Sequence, residues 1–159
     1  MADKEQEFTT DIAASVPLCF ATITQFERYP EWFSPIRATK ILKRHAGGLA
    51  KQVEIHIDIK IRTLRYVLQY EYEKPTRLTW ESVDGDIESI VGGYDFEKRG
   101  PALTQVTCRQ AVVLGFWLPG PLRGFMERQA LKQSVLEFKA AAEAAARSAK
   151  ADKSKKARS

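Results

Sequence analysis

The sequence contains few of the residues that usually carry catalysis or bind metals. Its 159 residues include two cysteines and two histidines. Cys19 and Cys108 are too few for a disulfide framework and lack the spacing of a zinc site, so we expect buried thiols in a reducing compartment. The chain has no HExxH motif, no CxxC motif and no glycine-rich phosphate loop. We therefore predict no metal, no nucleotide and no other cofactor.

Long apolar segments are also absent. The first ten residues contain no apolar signal region, and the longest apolar stretch, residues 111–118, is too short to cross a bilayer. We expect a soluble protein of the cytoplasm. The hydrophobic content of 44% is enough for one core in a chain of this length, which favours a single domain.

The positive charge is concentrated at the carboxyl end of the chain. Residues 147–159 hold six of the 25 basic residues and one of the 20 acidic residues, which leaves 19 of each sign in residues 1–146. We predict a neutral domain over residues 1–146 that does not bind nucleic acid, and a disordered basic tail over residues 147–159. The tail either keeps the protein in solution or makes a weak contact with an anionic membrane surface.

Two neighbouring segments alternate between apolar and polar residues. Residues 53–61 carry Val or Ile at every odd position, and residues 64–72 carry Leu or Tyr at every even position. Directly opposite residues of an antiparallel hairpin share a face, so the odd set of the first strand pairs with the even set of the second. Arg62-Thr63 is a poor two-residue turn, which indicates a longer loop between them.

The next hairpin is predicted from its turn residues. Asp84-Gly85 favours a tight turn, and pairing across it sets Trp80 beside Ser89 and Leu78 beside Val91. Beyond that point the apolar positions change from odd to even numbers. A bulge at residues 92–93, which are both glycine, would supply the extra residue that this change requires.

Helices are expected near the start of the chain, after the first strand, and at its end, after the last strand. A half-buried strand over residues 7–13 precedes Ser15, which is a suitable N-cap for a short amphipathic helix, and an aromatic, proline-bounded cluster around Trp32 forms a second short helix. Residues 119–146 contain neither glycine nor proline after Gly124, so we predict one long helix there. Together these elements give six or seven antiparallel strands, two short helices after the first strand, and a terminal helix.

Several short motifs occur in an order that resembles the START-like, or helix-grip, superfamily, including its polyketide cyclase/dehydrase and coenzyme Q-binding members. They cover about residues 7–143. The motifs are Ser15-Val16, FERYPEW at 26–32, Gly85-Asp86, GYDF at 93–96, TQV at 104–106, PGPL at 119–122, LEFK at 136–139 and Glu143. The resemblance implies an α+β fold in which a curved antiparallel sheet grips the terminal helix and encloses an apolar cavity. It leaves the ligand open among lipids, isoprenoid quinones, polyketides and hormones.

Given that fold, the inward positions of the strands and of the terminal helix predict the ligand-binding residues. Four of them are polar, and each needs a partner in the protein, a water molecule or a ligand. The candidates are Phe20, Trp32, Ile55, Ile57, Tyr66, Tyr70, Trp80, Tyr94, Phe125 and Met126, with the polar Ser82, Ser89, Gln110 and Gln129.

Catalytic residues are not predicted. His45 lies beside a glycine turn and His56 falls on the polar face of its strand, so neither is placed to activate a serine or a cysteine. Residues 115–119 form an apolar connection to the terminal helix. Within it, Trp117 and Leu118 either fasten the helix to the sheet or form an exposed lip at the cavity mouth that touches a membrane.

Three functions remain open on this sequence. The first is a non-enzymatic protein that binds a hydrophobic small molecule such as a lipid, quinone or polyketide, and the apolar inward face favours it. The second is a polyketide aromatase/cyclase, which rests mainly on the resemblance. The third is an interaction module whose sheet or basic tail docks on a ribosome, a protein or a membrane.

Overall fold

The computed structural model describes residues 5–158, except for the side chains of Glu127 and of residues 154–158. Seven antiparallel strands form one curved sheet in the order β1-β7-β6-β5-β4-β3-β2. The strands are β1 (Gln6–Ile12), β2 (Ile36–Arg44), β3 (Ala50–Asp58), β4 (Thr63–Glu73), β5 (Arg77–Gly85), β6 (Ser89–Gly100) and β7 (Leu103–Val113). The helices are α1 (Val16–Ile23), α2 (Tyr29–Trp32), α3 (Gly120–Arg128) and α4 (Ala130–Arg158), with a 3-10 turn at Phe26–Arg28.

This architecture confirms the predicted α+β helix-grip fold with two short helices after the first strand. The α1 helix begins as its sequence indicates, because the Ser15 hydroxyl accepts a hydrogen bond from the backbone N–H of Leu18 at 3.3 Å. The strands β1 and β2 are the two edges of the sheet, and the chain crosses from one edge to the other through α1 and α2.

The β3–β4 hairpin has the predicted register. Ile55 lies opposite Tyr66 and Ile57 lies opposite Leu64, so odd positions of one strand face even positions of the other. A four-residue loop, residues 59–62, joins the strands and replaces the unfavourable two-residue turn. This hairpin therefore presents one continuous apolar face to the interior.

The predicted register of the next hairpin is wrong. Trp80 pairs with Gly92 rather than with Ser89, and β5 continues to Gly85, which lies opposite Tyr66 of β4. Gly85 has φ +117°, and an added Cβ would lie 2.4 Å from the Arg65 carbonyl oxygen. This glycine therefore permits a close approach to β4 instead of forming a tight turn.

The predicted bulge at residues 92–93 is also absent, because both residues keep continuous register with β5 and with β7. The corrected pairing places even-numbered residues of β5 opposite even-numbered residues of β6, so no extra residue is needed. Ile90 and Tyr94 consequently point inward, whereas Val91, which was predicted to pair with Leu78, is 53% exposed.

The single terminal helix of the prediction is divided in two. Gln129 separates α3 from α4 with φ −118° and ψ −26°, away from helical values near −63° and −42°. The Gln129 N–H still donates to the Phe125 carbonyl oxygen at 2.8 Å, so the break is a local distortion and not a loop. The prediction used proline and glycine as the signs of a helix break, and neither residue occurs at this point. It therefore missed the break.

One face of α4 forms the centre of the core. Leu131, Val135, Phe138 and Ala142 are buried, as their spacing of four and three residues predicts. Polar contacts hold the flanks of α4 at both edges of the fold. The Ala13 N–H donates to Glu143 Oε2 at 2.9 Å, and Gln133 Nε2 donates to Ser34 Oγ at 3.0 Å.

The helix α4 continues through residues 147–158, the segment predicted as a disordered tail. The division of the chain at residue 146 stays a prediction, and residues 1–4 and 159 lie outside the described part of the chain.

Candidate functional site

The interior between the sheet and α4 is lined by aromatic rings in contact with one another. Tyr70 lies 4.6 Å from Phe26 and 6.1 Å from Trp80, measured between ring centroids. Tyr94 lies 5.6 Å from Trp80 and 5.3 Å from Phe138 of α4. These edge and tilted ring contacts form a continuous apolar lining that extends from the 3-10 turn across β4, β5 and β6 to α4.

Two of the four predicted polar residues have partners within the protein. The Trp80 indole N–H donates to Gln110 Oε1 at 3.0 Å. The Ile90 backbone N–H donates to Ser82 Oγ at 2.9 Å. Both side chains satisfy a buried polar group that would otherwise cost about 1 to 3 kcal/mol, so each has a structural role whether or not a ligand is present.

The other two predicted polar residues lie elsewhere. Ser89 is half-buried at the first position of β6, opposite Val113 at the last position of β7. Gln129 is exposed at the junction of α3 and α4, and Phe125 is 36% exposed. The predicted inward orientation of Phe125 and Gln129 is wrong, because it assumed that one unbroken helix carried the α4 face back through α3. That of Ser89 is wrong because the inward positions of β6 are even-numbered, as the buried Ile90 and Tyr94 show.

The remaining predicted lining residues are buried or half-buried on the inner surface. Trp32 lies 6.0 Å from Phe138 and Phe20 lies 6.0 Å from Tyr72, between ring centroids. Met126 of α3 packs partly against the core. The buried members of the set are Phe20, Ile55, Ile57, Tyr70, Trp80 and Tyr94, and the half-buried members are Trp32, Tyr66 and Met126.

Five tyrosines bring hydroxyl groups into this apolar interior. Burial raises the pKa of every one of them above its ordinary value, so all five are neutral at physiological pH. Two hydroxyls donate to backbone carbonyl oxygens: Tyr29 to that of Ile23, and Tyr72 to that of Ala50 at 2.6 Å. Tyr94 lies opposite Cys108 on β7, and the interaction with this thiol adds to the raised pKa of the Tyr94 hydroxyl.

The hydroxyls of Tyr66 and Tyr70 differ from these three, because neither makes a hydrogen bond to another residue in the described part of the chain. Within that part, no fully enclosed side-chain oxygen or nitrogen lacks a partner. Each of these two hydroxyls therefore reaches space that a water-sized group can enter, although Tyr70 is only 4% exposed. The sequence analysis predicted that both residues face inward but did not include their hydroxyls among the polar groups of the site. Tyrosine at an inward strand position was the feature that could have indicated them.

A surface depression of about 420 Å³, called here the mouth depression, lies where β7 leads into α3. It is lined by Glu88, residues 112–117 and Arg123. Val112 and Phe116 in its wall pack against the core, and the Arg62 guanidinium lies 5.1 Å from the Phe116 ring centroid. Its apolar wall thus continues into the packed interior.

Two neighbouring residues in the connection between β7 and α3, Trp117 and Leu118, have opposite environments. Leu118 is 2% exposed and packs in the core, whereas Trp117 is 78% exposed beside the mouth depression. Leu118 therefore fastens the connection to the core, and Trp117 is exposed to solvent. A contact between Trp117 and a membrane stays a prediction.

A second depression, of about 230 Å³, lies beside the β2–β3 turn and is lined by His45, Gly47, Leu49, Glu71, Tyr72 and Lys74. His45 Nε2 lies 2.8 Å from the Tyr70 carbonyl oxygen. His56 is on the outer face of β3, 3.0 Å from Glu54 Oε1. Hydrogen bonds from His56 and Arg65 lower the pKa of the Glu54 carboxyl, which stays ionised at neutral pH.

Both cysteines are free and buried, as predicted. Burial raises the pKa of the Cys19 thiol to about 11 and that of the Cys108 thiol to about 12, so neither is a thiolate at neutral pH. Within residues 5–158, no group of three or more His, Cys, Asp or Glu side chains is arranged to hold a metal ion. No helix in the same part of the chain is both long enough and apolar enough to span a bilayer.

A curved seven-stranded sheet with a C-terminal helix packed on its apolar face defines a START-like, helix-grip protein. The sequence matches the family described as polyketide cyclase / dehydrase and lipid transport over residues 12–139, and the chain belongs to that family. No protein among the curated sequences matches the chain.

Solved structures share the fold at low sequence identity. A START superfamily protein from Mycobacterium smegmatis aligns with a TM-score of 0.75 at 20% identity, over 91% of this chain and 97% of that one. The Zhui aromatase/cyclase from Streptomyces sp. R1128 aligns with a TM-score of 0.74 at 15% identity, over 92% and 94%. A protein from Thermus thermophilus aligns with a TM-score of 0.75 at 15% identity, over 89% and 99%. At these identities the likeness concerns the fold.

Proposed function

We propose that the protein binds one hydrophobic small molecule between the sheet and α4, for transport or presentation. The observation that carries this proposal is the Tyr70 hydroxyl, which is unpartnered in an almost fully buried residue yet reaches accessible space. Such space inside an apolar, aromatic lining is suited to a ligand that is itself mostly apolar. The family description, which includes lipid transport, agrees with this class of ligand.

Binding is favoured over catalysis by the chemistry of the interior. Apart from tyrosines, cysteines and Trp80, the buried polar side chains of the described residues are Thr22 and Thr104, and each hydroxyl donates to a backbone carbonyl oxygen. Burial raises the pKa of the tyrosine hydroxyls above the ordinary value, so they stay protonated at neutral pH and cannot act as general bases there. A polyketide aromatase/cyclase is the alternative, supported by the family description, and would need a proton acceptor that these residues do not provide.

We propose that the mouth depression is the entrance for the ligand and that Trp117 contacts a lipid surface during loading. Its indole is exposed beside an apolar wall that continues into the core. Arg62 lies over Phe116 next to it, which suits an anionic surface, although Glu88 also lines the depression. A cytoplasmic location and a contribution from residues 147–159 stay predictions.

Thermal unfolding of the full chain with 2-isopropylnaphthalene tests the binding proposal. A ligand that binds only the folded state stabilises it by RT ln(1 + [L]/Kd), which is about 1.4 kcal/mol at ten times Kd, and the melting temperature should rise accordingly. Native mass spectrometry of the purified chain should show at most one bound molecule per protein.

A matched pair of variants places the ligand in the interior. Val135→Trp adds bulk at a fully buried position on the inner face of α4, whereas Leu136→Trp adds the same bulk at its exposed neighbour. If Val135→Trp remains folded by circular dichroism, it should lose the ligand-induced rise in melting temperature, and Leu136→Trp should retain it. No rise in the unmodified protein with either 2-isopropylnaphthalene or 2-acetylnaphthalene, or an equal rise in both variants, would overturn the proposal.

A further inference from the structure

The tyrosine hydroxyls of the interior divide into two groups that packing alone does not explain. Those of Tyr29 and Tyr72 donate to backbone carbonyl oxygens, and Tyr94 lies opposite the Cys108 thiol. Those of Tyr66 and Tyr70 have no protein partner in the described part of the chain. A phenylalanine at either position would bury the same ring, so packing does not account for the hydroxyl oxygen of either residue.

The two hydroxyls belong to one strand and one face. Tyr66 and Tyr70 are four residues apart on β4, a separation of roughly 13 Å along the strand, with Leu68 inward between them. Tyr66 lies opposite Gly85 at the end of β5 nearer the mouth depression, and Tyr70 lies opposite Trp80 deeper in the sheet. They form two donor positions separated by an apolar surface along the inner face of β4.

The charge of the surroundings limits what these donors can bind. No lysine or arginine of the described residues is buried, so an ionised carboxylate would enter the interior without a counter-charge. A pure hydrocarbon would leave both hydroxyls unpaired. A neutral carbonyl oxygen satisfies a tyrosine donor and brings no charge, which makes it the acceptor that fits both conditions.

We propose that Tyr66 and Tyr70 select ligands with a neutral carbonyl oxygen, as in a ketone, quinone or ester, over hydrocarbons and carboxylates of the same size. This inference rests on the proposed function, because it concerns the ligand of the same interior site. The tyrosines are specificity-determining residues that donate hydrogen bonds, and the aromatic lining supplies the remaining contact.

Calorimetric titration with three probes of equal non-hydrogen atom count tests the inference: 2-acetylnaphthalene, 2-isopropylnaphthalene and 2-naphthoate. The quantity measured is the ratio of the Kd for the hydrocarbon to the Kd for the ketone. One hydrogen bond contributes a net 0.5 to 1.5 kcal/mol, and the single carbonyl oxygen of the ketone does not span the distance between the two positions. At least one of Tyr70→Phe and Tyr66→Phe should therefore lower this ratio about two- to ten-fold. The carboxylate should bind most weakly to the unmodified protein.

The control is Tyr72→Phe, which removes from the same strand a hydroxyl already bonded to the Ala50 carbonyl oxygen. It should lower the melting temperature but leave the ratio unchanged. Hydrocarbon binding with an equal ratio in all four proteins would overturn the selectivity while the binding function stands. Tightest binding of the carboxylate would also overturn it. If neither neutral probe binds the unmodified protein, the proposed function fails and the inference fails with it.

Discussion

At the scale of single residues, Gly92 shows how a missing side chain shapes the interior. An added Cβ would lie 2.8 Å from the Trp80 ring and 2.6 Å from the Arg109 carbonyl oxygen. The glycine therefore lets the indole pack closely against β6, and the indole N–H donates to Gln110 on the neighbouring strand β7. Sequence reasoning assigned this glycine to a bulge, because a bulge and a close approach both favour glycine within a strand.

We predict that Gly92→Ala destabilises the protein by about 1 to 3 kcal/mol, the usual cost of forcing extra volume into a packed site. Urea unfolding followed by circular dichroism measures the change. Gly47→Ala is the control, because no atom lies within 4 Å of its added Cβ. Equal midpoints for the two variants would show that Trp80 does not lie against Gly92.

At the scale of elements, strands with strict alternation could be predicted and connections could not. The β3–β4 register follows from three alternating apolar positions on β3 and five on β4, because a slip of one residue would turn all of them outward. The β5–β6 connection and the Gln129 break depend on contacts with β4 and on local backbone angles, and neither leaves a periodic signal. The same limit applies to Phe125 and Gln129 as site residues.

The connection between β7 and α3 carries the element-scale prediction. Trp117→Ser should reduce binding to vesicles of equal parts phosphatidylglycerol and phosphatidylcholine by a factor of about 10 to 150, because burial of a large aromatic side chain contributes about 1.5 to 3 kcal/mol. Co-sedimentation at low salt measures the bound fraction.

Two further variants separate the possible causes of vesicle binding. Val91→Ser removes an exposed apolar side chain from the outer face of β6 and should bind as the unmodified protein does. A chain ending at residue 146 removes the basic segment and shows how much of the binding it contributes. The lip hypothesis is wrong if Trp117→Ser binds vesicles as well as Val91→Ser does.

At the scale of the whole molecule, the buried tyrosines and cysteines all change the stability of the fold with pH in the same direction. Burial raises the pKa of all five tyrosines and of both cysteines. The folded protein therefore holds these protons more tightly than the unfolded chain does, and their contribution to stability is complete below the unfolded values near 8.5 and 10. It is lost as the pH rises further.

We therefore predict a melting temperature that is steady between about pH 7 and pH 8 and falls progressively above pH 9. Differential scanning calorimetry in buffers of constant ionic strength measures it. A melting temperature that stays constant or rises up to pH 10.5 would show that these groups are solvated in the folded protein.

The central claim is that accessible apolar space lies between β4 and α4, and a crystal pressurised with xenon tests it most directly, since xenon occupies apolar cavities. We predict a xenon peak, or the density of a ligand retained during purification, beside Tyr70, Trp80 and Val135. Continuous protein packing at that position, with neither xenon nor ligand density, would contradict the claim.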